Sequence, residues 1–330
     1  MNKKKQHRFS NRIPHLVSEM NKEAMTFSTF KAWFTDTEKR TPKKPLPEVK
    51  PDLKEFLKPS PDLKVIWFGH STFLLNLLGK IILVDPVFSN NAAPVTFFAK
   101  RFQPPVLKLE ELPPIDFIII SHDHYDHLDK ETMQFFAKKM GKTKILTALG
   151  VGKHLTSWGI KKETIREFNW WQGTKIDEIE FIATPAQHFS GRSLTDRNKT
   201  LWSSWVIITE NQRLYFSGDS GYDIHFKEIG HKYGPFDIAF MENGQYNERW
   251  RAVHSMPHES VQAYFDLKAK RFFPVHWGMF VLSLHSWREP ADELLRLSQE
   301  RGVNIVTPIL GEIVTVNDNY KNKLWWLTYE

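Results

Sequence analysis

The chain has 330 residues, of which 41% are hydrophobic, 14% aromatic and 25% charged; this composition is typical of a folded globular protein and excludes a disordered or fibrous one. It contains no cysteine, so disulfide bonds and thiolate-bound zinc are excluded, and any metal must be bound through nitrogen and oxygen atoms. The formal net charge of +7 is compatible with anionic partners such as phosphorylated substrates, anionic lipid surfaces or nucleic acid, and does not choose among them.

The first 60 residues are rich in lysine, proline and polar residues, and we expect an arm over 1–60 that packs on one domain over 61–330. A short helix that docks on the main body is predicted within the arm, because an unanchored tail rarely carries aromatic residues such as Phe27, Phe30, Trp33 and Phe34. Polar residues follow the basic N-terminus where a signal peptide would be apolar. We therefore expect a cytoplasmic protein, with peripheral contact at the inner membrane surface as an option.

Short apolar runs bounded by turn residues begin at residue 65 and are typical of β-strands. The predicted strands are 65–68, 72–75, 81–84, 117–120, 144–147, 179–184, 204–209, 213–217, 238–241, 271–275 and 304–307. Apolar residues that recur every three or four positions predict helices over 130–139, 150–157, 259–268 and 290–301. Strands outnumber helices in a mixed order. This order favours an α/β fold with two sheets packed face to face and helices outside over a single doubly wound sheet.

A dense group of potential metal ligands follows the predicted strand over 117–120. Residues 122–129 read His-Asp-His-Tyr-Asp-His-Leu-Asp, so three histidines and three aspartates lie within eight residues. Neutral imidazoles and carboxylates are good ligands for zinc-like ions, and adjacent like charges repel unless a cation lies among them. The segment therefore predicts a metal site at the end of a strand. A solvated polar turn with unrelated histidines is the alternative that this density disfavours.

The spacing of His122, His124, Asp126 and His127 resembles the His-x-His-x-Asp-His motif of the metallo-β-lactamase superfamily. Further segments, in consistent order, resemble the N-acyl-phosphatidylethanolamine-hydrolysing phospholipase D branch; they are 67–72, 83–88, 184–188, 216–222 and 274–280. The resemblance implies that 61–330 is a metallo-β-lactamase-fold hydrolase domain. Its fold would be a four-layer αββα sandwich.

The same resemblance implies two divalent metal ions, zinc in the first place, with manganese or iron as alternatives for a mixed imidazole and carboxylate site. Three side chains would hold one ion: His122, His124 and His188. Three would hold the other, with Asp219 bridging the two ions: Asp126, His127 and His276. Each of His188, Asp219 and His276 follows an apolar strand-like run, as convergence on one sheet edge requires. The catalytic candidates are Asp126, Asp219 and His254.

Four residues are candidates for contact with the substrate. His70 and His254 resemble positions near the family's active site, where they could orient substrate, protonate a leaving group or fix a ligand. Phe97 and Phe98 lie beside two cations in the segment 95–102, where they could rest on a lipid surface or cover the site. Packing of these aromatic residues into the body is the alternative. Asp85 resembles a family position near the site, and a turn that ends a strand explains it almost as well.

The resemblance implies a phosphodiesterase of phospholipase D type that acts on N-acyl-phosphatidylethanolamine-like phospholipids, with a hydroxide shared by two metal ions as the nucleophile. Three alternatives remain open: a sugar-phosphate lactonase of the same superfamily, a metal-dependent nuclease and a non-catalytic binding module. A small-molecule or phospholipid substrate is the expected partner. Nucleic acid is not expected, because the predicted domain lacks a clustered basic stripe. The oligomeric state stays open.

Overall fold

The computed structural model describes residues 8–17, 19–20, 26–35, 39–94, 98–139, 141–317 and 319–329. Phe97, one of the predicted substrate contacts, therefore lies outside the described residues. None of the helices within these ranges is long and apolar enough to cross a lipid bilayer.

The first sheet has seven strands and contains the strand that precedes the histidine-rich segment. Its strands are β1 (Lys64–Trp67), β2 (Phe73–Leu77), β3 (Lys80–Val84), β4 (Phe117–Ile120), β5 (Lys144–Ala148), β6 (Ile165–Phe168) and β13 (Ile313–Thr315). They lie in the order β13-β1-β2-β3-β4-β5-β6. The pairs from β13 to β3 are antiparallel and those from β3 to β6 are parallel.

The second sheet has six strands. They are β7 (Gly173–Ile176), β8 (Ile179–Thr184), β9 (Ser204–Ile208), β10 (Arg213–Phe216), β11 (Ile238–Glu242) and β12 (Phe272–Val275), in the order β12-β11-β10-β9-β8-β7. The neighbours β10, β11 and β12 are parallel, and the other pairs are antiparallel. The parallel arrangement brings the carboxyl ends of these three strands to one edge of the sheet.

Among the described residues, the α-helices with defined bounds are α1 (Phe27–Thr35), α2 (Leu53–Leu57), α3 (Lys130–Lys139), α4 (Gly152–Ser157), α5 (His225–Tyr233), α6 (Pro257–Asp266) and α7 (Glu289–Arg301). Apolar side chains of α2, α3 and α4 pack on the outer face of the first sheet. Those of α5, α6 and α7 pack on the outer face of the second sheet. The inner faces of both sheets share one core. The αββα sandwich implied by the sequence is therefore confirmed.

Alternation along each strand explains why two sheets and two outer layers form. In β1, Val65 and Trp67 face the core between the sheets, whereas Ile66 faces the outer layer. All three side chains are buried. A strand that is apolar on both faces must be covered on both sides, and each such side chain contributes about 1.5–3 kcal/mol when it is fully buried.

The arm predicted over 1–60 contacts the body at several points. Helix α1 forms within it, as expected from its aromatic residues. Leu46 is buried with the core between the sheets, and the Val49 N–H donates a hydrogen bond to the carbonyl oxygen of Leu310 (2.9 Å). A domain boundary at residue 60 stays a prediction. The strand predicted over 304–307 is wrong, because Ile305 forms only an isolated bridge with Phe272.

Candidate metal centre

The predicted ligands leave the carboxyl ends of four strands. His122 follows β4, His188 follows β8, Asp219 follows β10 and His276 follows β12 directly. All four side chains are buried. Residues up to 154 positions apart in the chain (from 122 to 276) thus meet at one edge of the two packed sheets, which is the convergence that the sequence pattern requires.

One set of side chains gathers around His124. Its Nδ1 lies 2.9 Å from Nε2 of His122 and 3.1 Å from Nε2 of His188. The carboxylate oxygen Oδ2 of Asp219 lies 3.8 Å from Nε2 of His122 and 3.7 Å from Nε2 of His188. These four side chains offer three nitrogen atoms and one oxygen atom to a common point.

The hydrogen bonds on the far side of these rings fix which nitrogen atoms carry protons. Nδ1 of His188 donates to the carbonyl oxygen of Val253 (3.0 Å), so its Nε2 keeps a lone pair. The Ser121 hydroxyl donates to Asp85 (2.6 Å) and can only accept from Nδ1 of His122 (2.9 Å), so Nε2 of His122 also keeps a lone pair. A proton on Nδ1 of His124 could form a hydrogen bond with only one of these two lone pairs. A cation between the rings satisfies all of them, so these residues fit a metal ion.

A second set of side chains gathers around Asp126. Its Oδ2 lies 2.9 Å from Nε2 of His70, 3.2 Å from Nε2 of His276 and 3.3 Å from Nε2 of His127. Oδ2 of Asp219 lies 3.1 Å from Nε2 of His127 and 3.2 Å from Nε2 of His276. The same oxygen atom of Asp219 therefore faces ring nitrogens of both sets, which is the arrangement that a bridging ligand requires.

The pKa values of the histidines divide between the two sets. Burial lowers the pKa of both His122 and His188 well below the ordinary value, so these rings stay neutral. Burial also lowers the pKa of His127 and His276, but the nearby carboxylates, Asp219 above all, outweigh it and hold the pKa of both rings well above the ordinary value. Positive charge is thus strongly favoured beside Asp219, where a divalent ion can take the place of a proton.

His70 and His254 both lie against the predicted ligands. His70 is 1% exposed, and its contact with Asp126 favours the ligand-fixing role among the three that the sequence leaves open. The ring of His254 stacks on His276, with centroids 5.2 Å apart and planes 12° apart, and its side chain is 16% exposed. His254 is therefore the one of the two that retains access to solvent. Phe98 is half exposed in the loop that follows β3.

Sequence reasoning misses Glu242, which lies between two histidines of the site. Its Oε1 accepts a hydrogen bond from Nδ1 of His254 and lies 3.4 Å from Nδ1 of His276. Its Oε2 accepts a hydrogen bond from the backbone N–H of Ser220 (2.6 Å). The available signal was a carboxylate that ends the otherwise apolar strand β11. Two residues after Glu242, the backbone at Gly244 packs directly against the backbone of His276. A Cβ on Gly244 would lie 1.6 Å from the His276 carbonyl oxygen, so this position requires glycine.

A comparison of the chain with known protein families agrees with the geometry of the metal centre. The family model described as the beta-lactamase superfamily domain matches residues 80–277, a span that contains all seven predicted ligands from His122 to His276. The chain belongs to the beta-lactamase superfamily. As a member of this superfamily it is a metal-dependent hydrolase that binds divalent metal.

Two sequence relatives and one solved structure are similar to this chain, and the solved structure bears on the fold alone. An uncharacterized protein of Mycobacterium tuberculosis is 40% identical over 289 residues, which are 86% of this chain and 77% of that protein. The N-acyl-phosphatidylethanolamine-hydrolyzing phospholipase D 1 of Caenorhabditis elegans is 37% identical over 268 residues, 76% of this chain and 75% of that protein. Igni18, a metallo hydrolase of the archaeon Ignicoccus hospitalis, has a TM-score of 0.59 at 20% identity, over 79% of this chain and 99% of that one.

Proposed function

We propose that the protein is a phosphodiesterase of phospholipase D type that cleaves N-acyl-phosphatidylethanolamine-like phospholipids with the help of two divalent ions. The observation that carries the proposal is the 37% identity, over three quarters of the relative's length, to a protein named for this reaction. The ligand geometry supports the two-ion part, because Oδ2 of Asp219 faces nitrogen atoms of both sets.

Seven side chains would hold the ions. His122, His124 and His188 would hold one, Asp126, His127 and His276 the other, and Asp219 would contact both. When bound, such a pair lowers the pKa of a shared water toward neutrality, supplies a hydroxide nucleophile and stabilises negative charge on the phosphate oxygens. Zinc is the expected metal, with manganese or iron as alternatives for this set of ligands.

His254 is suited to move the proton that the reaction transfers. Because its Nδ1–H donates to the Glu242 carboxylate, Nε2 is the nitrogen atom that can accept a proton. In the proposed reaction Nε2 takes the proton of the attacking water and delivers it to the oxygen of the leaving alcohol. The products are a phosphatidate and an N-acylethanolamine, so atoms and charge balance. The partial exposure of the His254 ring keeps it accessible to a substrate.

A lipid-facing surface would bring a phospholipid to this edge of the sheets. Leu194 is fully exposed at the tip of the loop after β8, and Phe98 is half exposed in the loop after β3. The Leu194 loop is fixed to the histidine-rich segment, because Arg192 donates to the carbonyl oxygens of Asp123 and Leu128 (2.7 Å each). An exposed apolar side chain close to an exposed lysine, as Phe98 is to Lys100, is suited to the anionic surface of a membrane.

The test is turnover of N-acyl-phosphatidylethanolamine by the zinc-loaded protein in ¹⁸O-labelled water. Phospholipase D-type cleavage places the label in phosphatidate and none in the N-acylethanolamine. Asp219→Asn should lower turnover by more than about 100-fold, because loss of a ligand costs more than loss of an outer hydrogen bond, which costs about 10- to 100-fold. Asp237→Asn, which alters an ion pair with Lys270, is the matched control and should retain full turnover.

Other outcomes would replace the proposal. Turnover of sugar-phosphate lactones without phosphodiester cleavage would identify a lactonase, and salt-sensitive cleavage of nucleic acid would identify a nuclease. Absence of bound metal, or of turnover with every ester class, would indicate a binding module. Full activity of Asp219→Ala after thorough chelation would exclude the two-ion scheme.

A further inference from the structure

Asn11, in the N-terminal arm, makes two hydrogen bonds with the backbone of His188. Its Nδ2 donates to the His188 carbonyl oxygen (2.8 Å), and the His188 N–H donates to its Oδ1 (3.1 Å). Asn11 is 7% exposed and His188 is fully buried. The side-chain amide offers one donor and one acceptor to the backbone of a single residue, which neither alanine nor an ionised aspartate can do. Without it, water has little access to either backbone group.

The arm also reaches the residue that fixes the ring of His188. Nδ1 of His188 donates to the carbonyl oxygen of Val253. Val253 belongs to a small buried apolar cluster with Val17 and Met20 of the arm. The arm thus contacts His188 twice, directly through Asn11 and indirectly through the residue that holds Nδ1. Both contacts are made by side chains at least nine-tenths buried.

We infer that the N-terminal arm is part of the metal centre, and that Asn11 is a positioning residue that holds His188 in its metal-binding orientation. This inference rests on the proposed role of His188 as a ligand. The donor set explains why position matters: the lone pair of His188 Nε2 must point at the same place as those of His122 and His124. Asn11 lies 177 residues before His188 in the chain, and it holds the backbone of this ligand through two hydrogen bonds.

The experiment is a titration of the metal-free full chain with Co²⁺, followed by its visible absorption. The reference variant His188→Ala identifies the ion that depends on this ligand. Asn11→Ala and the nearly isosteric Asn11→Asp should weaken binding of that ion by about 10- to 100-fold and leave the other ion unchanged. Asn11→Asp keeps the acceptor but replaces the donor by a carboxylate oxygen that repels the His188 carbonyl. Arg12→Gln is the control, because it breaks only the exposed ion pair of the arm with Asp223 and should leave both affinities unchanged.

Two results would overturn the inference. One is wild-type affinity for both ions in Asn11→Ala and Asn11→Asp. The other is equal weakening of both ions, or the same loss in Arg12→Gln, since either would indicate general loosening of the fold rather than positioning of His188. Thermal unfolding of the metal-free variants reports such loosening separately. A wild-type chain that binds one Co²⁺ contradicts the two-ion proposal, whereas Asn11 is judged only by the ratio of variant to wild-type affinity for the ion lost in His188→Ala.

Discussion

Oδ2 of Asp85 lies 2.7 Å from Nδ1 of His127, and neither side chain is exposed to solvent. Because a carboxylate accepts, Nδ1 of His127 donates to Asp85, and Nε2 is the ring nitrogen that faces Asp126 and Asp219. The same carboxylate accepts hydrogen bonds from the backbone N–H (2.8 Å) and the hydroxyl of Ser121. Asp85 therefore fixes both a ligand ring and the end of the strand that leads to the ligands.

Asp85→Asn should weaken the ion held by His127 by about 10- to 100-fold, because the amide NH₂ cannot accept from Nδ1 and the single amide oxygen cannot also serve both groups of Ser121. Titration of the metal-free protein against a competing chelator measures this affinity. Asp177→Asn is the matched control, because Asp85 and Asp177 both have a positive φ (37° and 53°). Asp177 differs in being exposed, and among the described residues its ion pair is with Lys80. Equal affinity of Asp85→Asn and wild type would contradict this role.

Glu242→Gln should lower kcat by about 10- to 100-fold with little change in KM, because an amide no longer holds the Nδ1–H of His254 by charge and no longer faces His276 as an anion. Steady-state kinetics with a soluble phosphodiester measure the two constants. Glu312→Gln, which alters an ion pair with Lys323, provides the comparison and should keep wild-type kinetics. A fall in KM alone would be inconsistent with a role in orienting His254.

His225 should make the fold less stable in mild acid. It is buried in α5, and burial lowers its pKa to about 3. An unfolded histidine titrates near 6.5, so the unfolded chain binds a proton that the folded chain does not. The contribution of neutral His225 to the free energy of unfolding is fully present above about pH 6.5 and is lost as the pH falls toward 3. Between pH 8 and pH 5 this loss is about 2 kcal/mol.

Urea unfolding at pH 8 and pH 5 tests this pH dependence. Wild type should lose about 2 kcal/mol more of its free energy of unfolding than His225→Gln does over this range. His231→Gln, an exposed position on the same helix, should behave like wild type. If wild type and His225→Gln lose the same amount, His225 is not the group responsible.

Phe98→Ser and Leu194→Ser should each weaken partitioning onto anionic phospholipid vesicles by about tenfold, which corresponds to roughly 1.4 kcal/mol of lost apolar contact. Metal content should not change. Leu57→Ser is the control and should partition like wild type. Leu57 is exposed and precedes the start of β1, so it lies at the sheet edge opposite the metal centre. Unchanged partitioning of Phe98→Ser and Leu194→Ser would count against a lipid-facing surface in these loops.

The central strands of both sheets are predictable from the sequence, whereas three of the four edge strands are not. The prediction gives β4 its observed bounds, because a run of four apolar residues reflects burial on both faces. The sequence does not reveal β6, β7 and β13, which are all edge strands. In β7 each residue is partly or fully exposed, so no apolar pattern forms and pairing with β8 alone defines the strand.

Helix α5 is missed for a different reason. Its sequence contains Gly230, which lowers helix propensity. A Cβ at this position would lie 2.0 Å from the carbonyl oxygen of Asp266 at the end of α6. Tertiary packing of the two helices therefore requires the residue that hides the helix from a local pattern.

The ligand cluster is visible in sequence, and the resemblance also indicates the supporting residues His70 and Asp85, whereas Asn11 and Glu242 are not detectable. His122, His124, Asp126 and His127 are detectable because they crowd into one short segment. Asn11 is an ordinary residue in a polar arm. Its role is visible only in the structure, because its hydrogen-bond partner His188 lies 177 residues away in the sequence. Single polar residues carry no periodicity, so their roles depend on partners that sequence position does not disclose.

The ligands are divided between the two sheets. The segment after β4, in the seven-stranded sheet, supplies four of them, and the six-stranded sheet supplies His188, Asp219 and His276 from loops after β8, β10 and β12. A nascent chain therefore cannot assemble the centre before His276 has left the ribosome, although β1 to β6 are made long before. The complete set of ligands therefore exists only once strands of both sheets have been synthesised.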